Sequence, residues 1–362
     1  MAEINPDAPA LAAGEQRFLR RCFQLARLGA GSVSPNPMVG AVLAYDNRII
    51  GEGWHQRYGE AHAEVQAIRA VARADRNLTP RSTLYCALEP CFHHGKTPPC
   101  VDLILEQKIP RVVVSSIDPN PLTGGQSVAK LRAAGVEVIA RALEAEGRSL
   151  NRAFFTWMTQ KRPYIILKWA QSADGYLGRA AERTPISGPL AQRLVHRWRS
   201  EVDAILVGAK TARTDNPRLD NRWYSGKSPL RVALDFSGKI PGNAHLLDDS
   251  MPTWILGGKR PGQWKNTTFL PLAGAGPDLD WIPFLLEKLH AGNRAILLVE
   301  GGAYTLRQFL DNGCWDEIRV LENPVRLGGG IAAPRVPESA RLETSGLIGT
   351  DRVEIWLLSE AW

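Results

Sequence analysis

The chain has 362 residues, 44% of them hydrophobic and 22% charged, and a net charge of +7. That balance is ordinary for a globular protein and excludes a disordered, collagen-like or fibrous chain; no apolar run reaches the ~18 residues of a membrane span. At roughly 150 residues per domain, the length allows two or three domains.

The start, Met1-Ala2-Glu3-Ile4-Asn5-Pro6-Asp7, is acidic and broken by proline. It is unlike a secretory signal, so the expected location is cytoplasmic. Residues 15–28 then place Phe18, Cys22, Leu25 and Leu28 at helical spacing, and Gly29 and Gly31 end the helix. Residues 39–45 form a short apolar strand, which Asp46-Asn47 turns into a second strand at 48–50. Residues 62–74 are helical and 83–87 a strand. Pro98-Pro99 opens the next helix, since proline suits a first turn. A buried strand at 111–117, a helix at 126–133 and a strand at 136–139 complete this part. Two strands followed by alternating helices and strands predict a three-layer α/β domain.

Residues 143–151 carry charge and little β-character, so the domain boundary is expected near 148. Beyond it the pattern alternates again. Strands are predicted at 164–169, 204–207, 231–234, 253–256, 295–299, 318–321 and 353–358, and helices at 189–199, 281–290 and 304–310. Ten of the eleven tryptophans lie after residue 150, and four of the seven histidines lie at 55, 62, 93 and 94, which suggests two units of different origin. The charge is +2 up to residue 150 and +5 beyond it, without a basic run of the kind that binds nucleic acid. Such an excess suits small anionic substrates.

Five cysteines cannot all pair within one chain, and in the cytosol they stay reduced, which directs attention to metal ligation. His62-Ala63-Glu64, followed by Pro90-Cys91 and Cys100, has the order a zinc deaminase needs. That chemistry requires three protein ligands, one open position for water and a carboxylate that moves protons. His62, Cys91 and Cys100 are the expected ligands. Glu64 is the expected proton shuttle, because His-x-Glu at a helix start aims both side chains into one cavity. Zinc lowers the pKa of its water toward neutrality, so hydroxide is available to attack an amidine-like ring carbon. A lone His-x-Glu is more often a helix surface, and a lone Pro-Cys says little; the ordered combination carries the inference. Eight residues separate Cys91 from Cys100 where nucleobase deaminases often have Pro-Cys-x-x-Cys, so a loop is inserted beside the metal. Cys22, Cys86 and Cys314 read as small core residues, and His196, His245 and His290 as surface histidines.

The run Leu88-Glu89-Pro90-Cys91-Phe92-His93-His94-Gly95-Lys96-Thr97-Pro98-Pro99-Cys100 resembles the bifunctional riboflavin-biosynthesis deaminase–reductase family. So do Pro35-Asn36-Pro37-Met38-Val39-Gly40 and Gly53-Trp54-His55. In the second half the matching pieces are Leu167-Lys168-Trp169-Ala170-Gln171-Ser172-Ala173-Asp174-Gly175, Trp198-Arg199-Ser200, Thr214-Asp215-Asn216-Pro217 and Val299-Glu300-Gly301-Gly302-Ala303. The resemblance covers nearly the whole chain from about residue 15.

It implies a cytidine-deaminase-like three-layer α/β/α domain at 1–147 and a dihydrofolate-reductase-like α/β domain at 148–362. The first would deaminate 2,5-diamino-6-(5-phosphoribosylamino)pyrimidin-4-one with Zn2+. The second would reduce the ribosyl group of 5-amino-6-(5-phosphoribosylamino)uracil to ribityl with NADPH. By the same likeness Asn36 and His55 line the pyrimidine pocket, with Lys96 shaping it. Ala170, Thr211, Asp215, Gly301 and Gly302 face NADPH. Arg199, Leu219, Arg222 and Glu300 face the substrate, Lys168 orients the sugar, and a homo-oligomer is expected. Two arginines suit bidentate capture of a phosphate, and glycines before a helix let amides approach one. No Gly-x-Gly-x-x-Gly opens a βαβ unit, so a Rossmann domain is not supported.

The chain departs from the family pattern at Ala173, at Arg183-Thr184-Pro185-Ile186-Ser187, and at Phe236, where a serine is common. Two other readings compete: an active deaminase carrying a degenerate reductase domain, and a nucleic-acid-modifying zinc deaminase. The inserted loop and the missing basic tail argue against the second.

Overall fold

The computed structural model describes residues 11–93, 98–121, 123–180, 182–258, 263–272 and 280–359. His94 and Lys96 lie outside the described residues. The chain divides into two compact units, Met1–Lys161 and Arg162–Trp362.

In the first unit, helix α1 (Gln16–Arg27) precedes the hairpin of β1 (Gly40–Tyr45) and β2 (Arg48–Trp54). Then come α2 (Ala63–Arg69), a 3-10 helix (Arg73–Arg81), β3 (Thr83–Leu88), α3 (Cys100–Glu106), β4 (Arg111–Ser116), α4 (Gln126–Ala133) and β5 (Glu137–Ile139). Helices α5 (Glu144–Leu150) and α6 (Arg152–Gln160) follow. The predicted helix at 62–74 is thus shorter, and its second half winds as 3-10. The sheet order is β2-β1-β3-β4-β5, antiparallel through β3 and parallel from β3 to β5.

Alternation along the strands builds the three layers. Ala41, Leu43, Leu84, Cys86, Val112 and Val114 face one way, onto Ala63 and Ala67 of α2, Val101 and Ile104 of α3, and Val128 and Leu131 of α4. Val42, Ala44, Tyr85, Ala87 and Val113 face the other way, onto Phe18, Leu19, Cys22 and Ala26 of α1 and Leu150 of α5. Gly53 sets the closeness of α2 to the sheet: a Cβ there would stand 2.5 Å from the Ala67 nitrogen.

The second unit runs β6 (Tyr164–Ser172), β7 (Tyr176–Gly178), α7 (Pro189–Glu201), β8 (Ala204–Val207), α8 (Ala209–Asp215), β9 (Leu230–Asp235), a short 3-10 turn (His245–Leu247), β10 (Thr253–Gly257), β11 (Thr267–Leu270), α9 (Trp281–Ala291), β12 (Ile296–Val299), α10 (Ala303–Asp311), β13 (Glu317–Asn323), β14 (Ile331–Ala332), β15 (Ala340–Ile348) and β16 (Asp351–Leu358). Its nine-stranded sheet has the order β11-β10-β9-β8-β12-β6-β13-β16-β15, with β7 and β14 paired apart from it. The strands from β11 to β13 are parallel, and β16 and β15 join antiparallel. Their near-continuous apolar runs fit a parallel sheet covered on both faces.

The boundary expected near 148 falls instead between Lys161 and Arg162. Residues 144–160 belong with the first unit because Asn151 grips Met38, its Oδ1 accepting the Met38 N–H and its Nδ2 donating to the Met38 carbonyl, both at 2.8 Å.

Candidate active sites

Helix α2 starts at His62, whose extended backbone (φ −72°, ψ 165°) makes it the N-cap. Its ring thereby stands at the helix mouth, and Glu64 follows in the first turn. Cys91 lies in the loop after β3. Pro99 ends that loop as the N-cap of α3, which makes Cys100 the first helical residue. The Cys100 N–H donates to the Cys91 sulfur at 3.2 Å, a bond that favours thiolate character at Cys91. His62 Nδ1 lies 3.4 Å from each sulfur, and all three ligand atoms fall within 4.8 Å of one another. Tetrahedral zinc, with bonds of roughly 2.3 Å to sulfur and 2.0–2.1 Å to nitrogen, sets N···S near about 3.5 Å. The donor set and spacing therefore fit zinc. Hydrogen bonding from Cys100 first, and also to His62, holds the Cys91 thiol well below its ordinary value, while the Cys100 thiol is pushed up by that bond and by burial.

Glu64 is 3% exposed and stands outside the ligand triad. Burial pushes its carboxyl up to about 7, the range in which a carboxyl can both take and give a proton near neutrality. His55 is buried beside His62, their rings edge to face at 5.4 Å. Its Nδ1 sits 3.2 Å from the Ala61 carbonyl, and its Nε2 3.2 Å from Asn36 Nδ2. A carbonyl only accepts, so Nδ1 carries the proton and Nε2 accepts from the Asn36 amide. Burial lowers the His55 pKa, in keeping with a neutral ring. Asn36 and His55 thus stand together next to the metal ligands.

Glu89 was not singled out from the sequence, although it precedes the metal loop. It is buried, and its carboxylate accepts four backbone N–H groups, from Asp118, Gly125, Ser127 and Val128. It pins the 118–128 segment to the strand end that carries Cys91. The signal was an acid held between an apolar strand and a proline.

The second unit holds a cavity of about 1170 Å³. Lys168, Arg199, Thr211, Asp215, Leu219, Arg222, Glu300 and Gly302 line it; Ala170 and Gly301 do not. Ala170 packs instead with Ala191, Val195, Trp198 and Leu321. The guanidinium fork expected to capture phosphate is engaged at Arg199: Nε and Nη2 donate to Glu300 at 3.1 and 2.8 Å, and Nη1 donates to the Asp220 carbonyl. Arg222 is 38% exposed and lies over the Trp223 ring. Burial would raise the Glu300 pKa, but the charges of Arg199 and Lys168 prevail and hold it at about 2. Burial pushes Lys168 down.

Gly302 caps α10, and its N–H donates to Thr211 Oγ1 at 2.9 Å. A Cβ on Gly301 would stand 3.0 Å from the Gly208 nitrogen, so the glycine pair lets α8 and α10 close on each other. Phe236 fills the place of the family's common serine, packs toward Trp281 and lines the cavity together with Ser237. Arg183 and Thr184 of the altered segment also line it. His196 corrects an expectation: it is buried at 3% exposure, not a surface residue. Cys22 and Cys86 are fully buried as expected, and Cys314 partly so.

A His–Cys–Cys triad with a buried glutamate in a three-layer domain, in one chain with a largely parallel α/β unit and its cavity lined by Lys168, Arg199, Arg222 and Glu300, defines a zinc-dependent deaminase joined to a reductase. Residues 13–116 match the model for the cytidine and deoxycytidylate deaminase zinc-binding region, and residues 163–356 match the RibD C-terminal domain. The riboflavin biosynthesis protein RibD of Aquifex aeolicus is 38% identical over 88% of this chain and 89% of its own length. That of Bacillus amyloliquefaciens is 37% identical over 88% and 86%. The crystal structure of a diaminohydroxyphosphoribosylaminopyrimidine deaminase/5-amino-6-(5-phosphoribosylamino)uracil reductase from Thermotoga maritima superposes with a TM-score of 0.86 at 32% identity, over 95% of this chain and 99% of that one. Acinetobacter baumannii RibD gives 0.83 at 30% identity, over 95% and 98%. The chain belongs to the RibD family of bifunctional riboflavin-biosynthesis enzymes, with a cytidine-deaminase-like domain followed by a dihydrofolate-reductase-like one. It is a zinc-dependent deaminase and an NADPH-dependent reductase acting on small molecules.

Proposed function

We propose that the first unit deaminates 2,5-diamino-6-(5-phosphoribosylamino)pyrimidin-4-one and that the second reduces the ribosyl group of 5-amino-6-(5-phosphoribosylamino)uracil to ribityl. The observation that carries this reading is the convergence of His62, Cys91 and Cys100 beside buried Glu64, in one chain with a cavity lined by Lys168, Arg199, Arg222 and Glu300.

His62, Cys91 and Cys100 would hold the metal, and zinc would there supply Lewis-acid chemistry. Glu64 takes a proton from the hydrolytic water as the water oxygen bonds to the amino-bearing ring carbon. It returns the proton to the amine as the C–N bond breaks, and ammonia leaves. Asn36, oriented by the neutral His55 ring, presents its amide oxygen to the pyrimidine edge.

In the second unit NADPH supplies the hydride when bound. Thr211, Asp215 and the Gly301-Gly302 turn would hold it, with Thr211 fixing that turn by accepting the Gly302 N–H, and Ala170 would contribute through its strand rather than through the cavity wall. Glu300 and Lys168 orient the sugar, Leu219 packs against it, and Arg222 receives the phosphate. Arg199 acts mainly by holding the Glu300 carboxylate in place.

We read the chain as a cytoplasmic homo-oligomer that works without nucleic acid. The mild, dispersed positive charge supports the last point, and among the described residues no helix is long and apolar enough to cross a membrane. Light scattering on the purified protein tests the assembly.

The decisive experiment supplies the diaminopyrimidine phosphate together with NADPH. Release of ammonia with matching NADPH oxidation is expected. Ammonia alone points to a degenerate reductase, and neither product overturns the reading.

A further inference from the structure

Among the buried titratable groups outside the metal site, His196 has no part in the steps above. It lies on the buried face of α7, one turn before Arg199. Its ring meets the segment that carries Arg222. The Arg222 backbone N–H donates to His196 Nδ1 at 3.2 Å. The His196 and Trp223 rings pack with centroids 4.7 Å apart, tilted by 50°. On the same indole lies the Arg222 guanidinium, 4.7 Å from the ring centroid, with Nη1 also bonded to Asp220 Oδ1. His196 therefore touches Arg222 twice: directly at its amide, and through Trp223 at its charge.

We propose that His196 is a positioning residue of the reductase, which holds the 220–224 segment so that the Arg222 guanidinium meets the substrate's phosphate. The proposal rests on the reading of Arg222 as the phosphate contact.

Three physical points support it. First, the segment has few other ties among the described residues. Trp223 and Tyr224 are each 47% exposed, so burial contributes little there, and the polar ties besides His196 are the Arg199 Nη1 bond to the Asp220 carbonyl and the bonds of Asn221 with Ser228, Gly226 and Lys227. Second, a flexible arginine gains specificity when its geometry is fixed before binding. A guanidinium set on an aromatic face beside a carboxylate is fixed in this way. Third, the bond requires an unprotonated Nδ1, because an imidazolium would set donor against donor. Burial first, then the positive charges of Arg199 and Arg222, push the His196 pKa down to about 4, against the opposing pull of Asp220 and Glu300. Burial and the two flanking arginines thus keep the ring in its accepting form.

Two substitutions in the full chain separate the two contacts. His196→Phe keeps a ring against Trp223 and removes the acceptor. His196→Asn places an amide oxygen close to where Nδ1 lies. Hydrogen–deuterium exchange of the peptide covering residues 219–225 reads the hold on the segment without reference to turnover. Steady-state kinetics give KM for the aminouracil phosphate and for NADPH separately. For His196→Phe we expect faster exchange in that peptide and a KM for the aminouracil phosphate raised about ten-fold, the scale of one lost hydrogen bond. The KM for NADPH should stay within about two-fold, and His196→Asn should recover most of the loss.

Unchanged exchange in His196→Phe overturns the proposal. So does a parallel rise in both KM values, which marks a general loss of packing. Arg222→Ala is the control for the underlying reading. If it leaves the aminouracil KM unchanged, Arg222 is not the phosphate contact, and the exchange measurement alone then decides whether His196 orders the segment. If Arg222→Ala raises that KM while His196→Phe speeds exchange without raising it, the proposal fails and the reading of Arg222 stands.

Discussion

Arg199 and Glu300 face each other as a two-pronged pair inside the reductase cavity, Nε to Oε1 at 3.1 Å and Nη2 to Oε2 at 2.8 Å, with Lys168 Nζ 3.9 Å from the same carboxylate. Two cations thus share one buried anion. Breaking such an arrangement from one side costs more than the arrangement contributes, because a charge is left buried and uncompensated. Glu300→Ala, which strands two, is expected to destabilise the second unit by about 3–5 kcal/mol. Urea unfolding followed by tryptophan fluorescence checks this, since nine of the eleven tryptophans lie in the second unit. A loss under 1 kcal/mol would show that water or rearrangement compensates the cations.

The same pair sets a pH dependence. The Glu300 pKa is held at about 2, below the ordinary carboxylate value of 4.5. The folded state therefore binds that proton less readily than the unfolded chain, and stability rises with pH wherever the unfolded chain binds more protons. The contribution is fully present above about pH 4.5 and is lost as pH falls toward 2. Unfolding of the second unit between pH 5 and pH 3 should therefore show a downward slope on acidification. Glu300→Gln should flatten that slope; an unaltered slope would assign it to other carboxylates.

Glu64 gives the most selective prediction. It lies outside the His62–Cys91–Cys100 triad, so Glu64→Gln should leave bound zinc unchanged. Ammonia release from the diaminopyrimidine phosphate should fall by about 10²–10⁴, the range for a positioned proton-transfer group. Oxidation of NADPH by the aminouracil phosphate should stay within about two-fold, because the reductase residues lie in the other unit. Normal ammonia release in this variant would remove Glu64 from the mechanism.

Why the metal site could be read from the sequence and the reductase site only in part is a matter of chemistry. A tetrahedral ion demands few residue types in a narrow arrangement, so His62, Cys91 and Cys100 announce themselves at element boundaries. Strands with apolar runs, such as β4 and β12, were equally visible. Strand β15 was not, because it is exposed along most of its length and carries no alternating apolar pattern. Helices α5 and α6 were not predicted, and the boundary was placed within them, because what holds them to the first unit is tertiary, the Asn151–Met38 bonds and the packing of Leu150, which local propensity cannot reveal. At Arg199 the sequence suggested a free phosphate-binding fork; only the fold brings Glu300, 101 residues away in the chain, to engage it.

Zinc removal should separate the two activities. Holding thiolates at Cys91 and Cys100 without a metal is unfavourable in a buried site, and a structural contribution from the ion is expected because the ligands tie α2, the loop after β3 and α3 together. Dialysis against a strong chelator should abolish ammonia release and lower the thermal midpoint of the first unit by several degrees, with NADPH oxidation retained. Readdition of zinc should restore both. Full deaminase activity in protein shown to be metal-free would contradict the ligand assignment.

Gly53 links the packing of the first unit to its chemistry. A Cβ on this residue would meet the Ala67 nitrogen at 2.5 Å and the Gln66 Cβ at 2.5 Å. Both belong to α2, whose N-cap is His62 and whose first turn carries Glu64. The contact is largely with helix backbone, so no side chain can rotate away, and α2 must move off β2. Overpacking of this kind costs about 1–3 kcal/mol. Moving α2 also shifts His62 relative to Cys91 and Cys100, which are carried by separate elements. Gly53→Ala should therefore lower the urea midpoint of the first unit and reduce both zinc occupancy and ammonia release, with the reductase unaffected. Gly14→Ala is the matched control, because a Cβ there would meet nothing within 4 Å. If Gly53→Ala loses stability and keeps full zinc occupancy and ammonia release, the sheet-to-helix spacing at Gly53 governs packing alone and not the metal geometry.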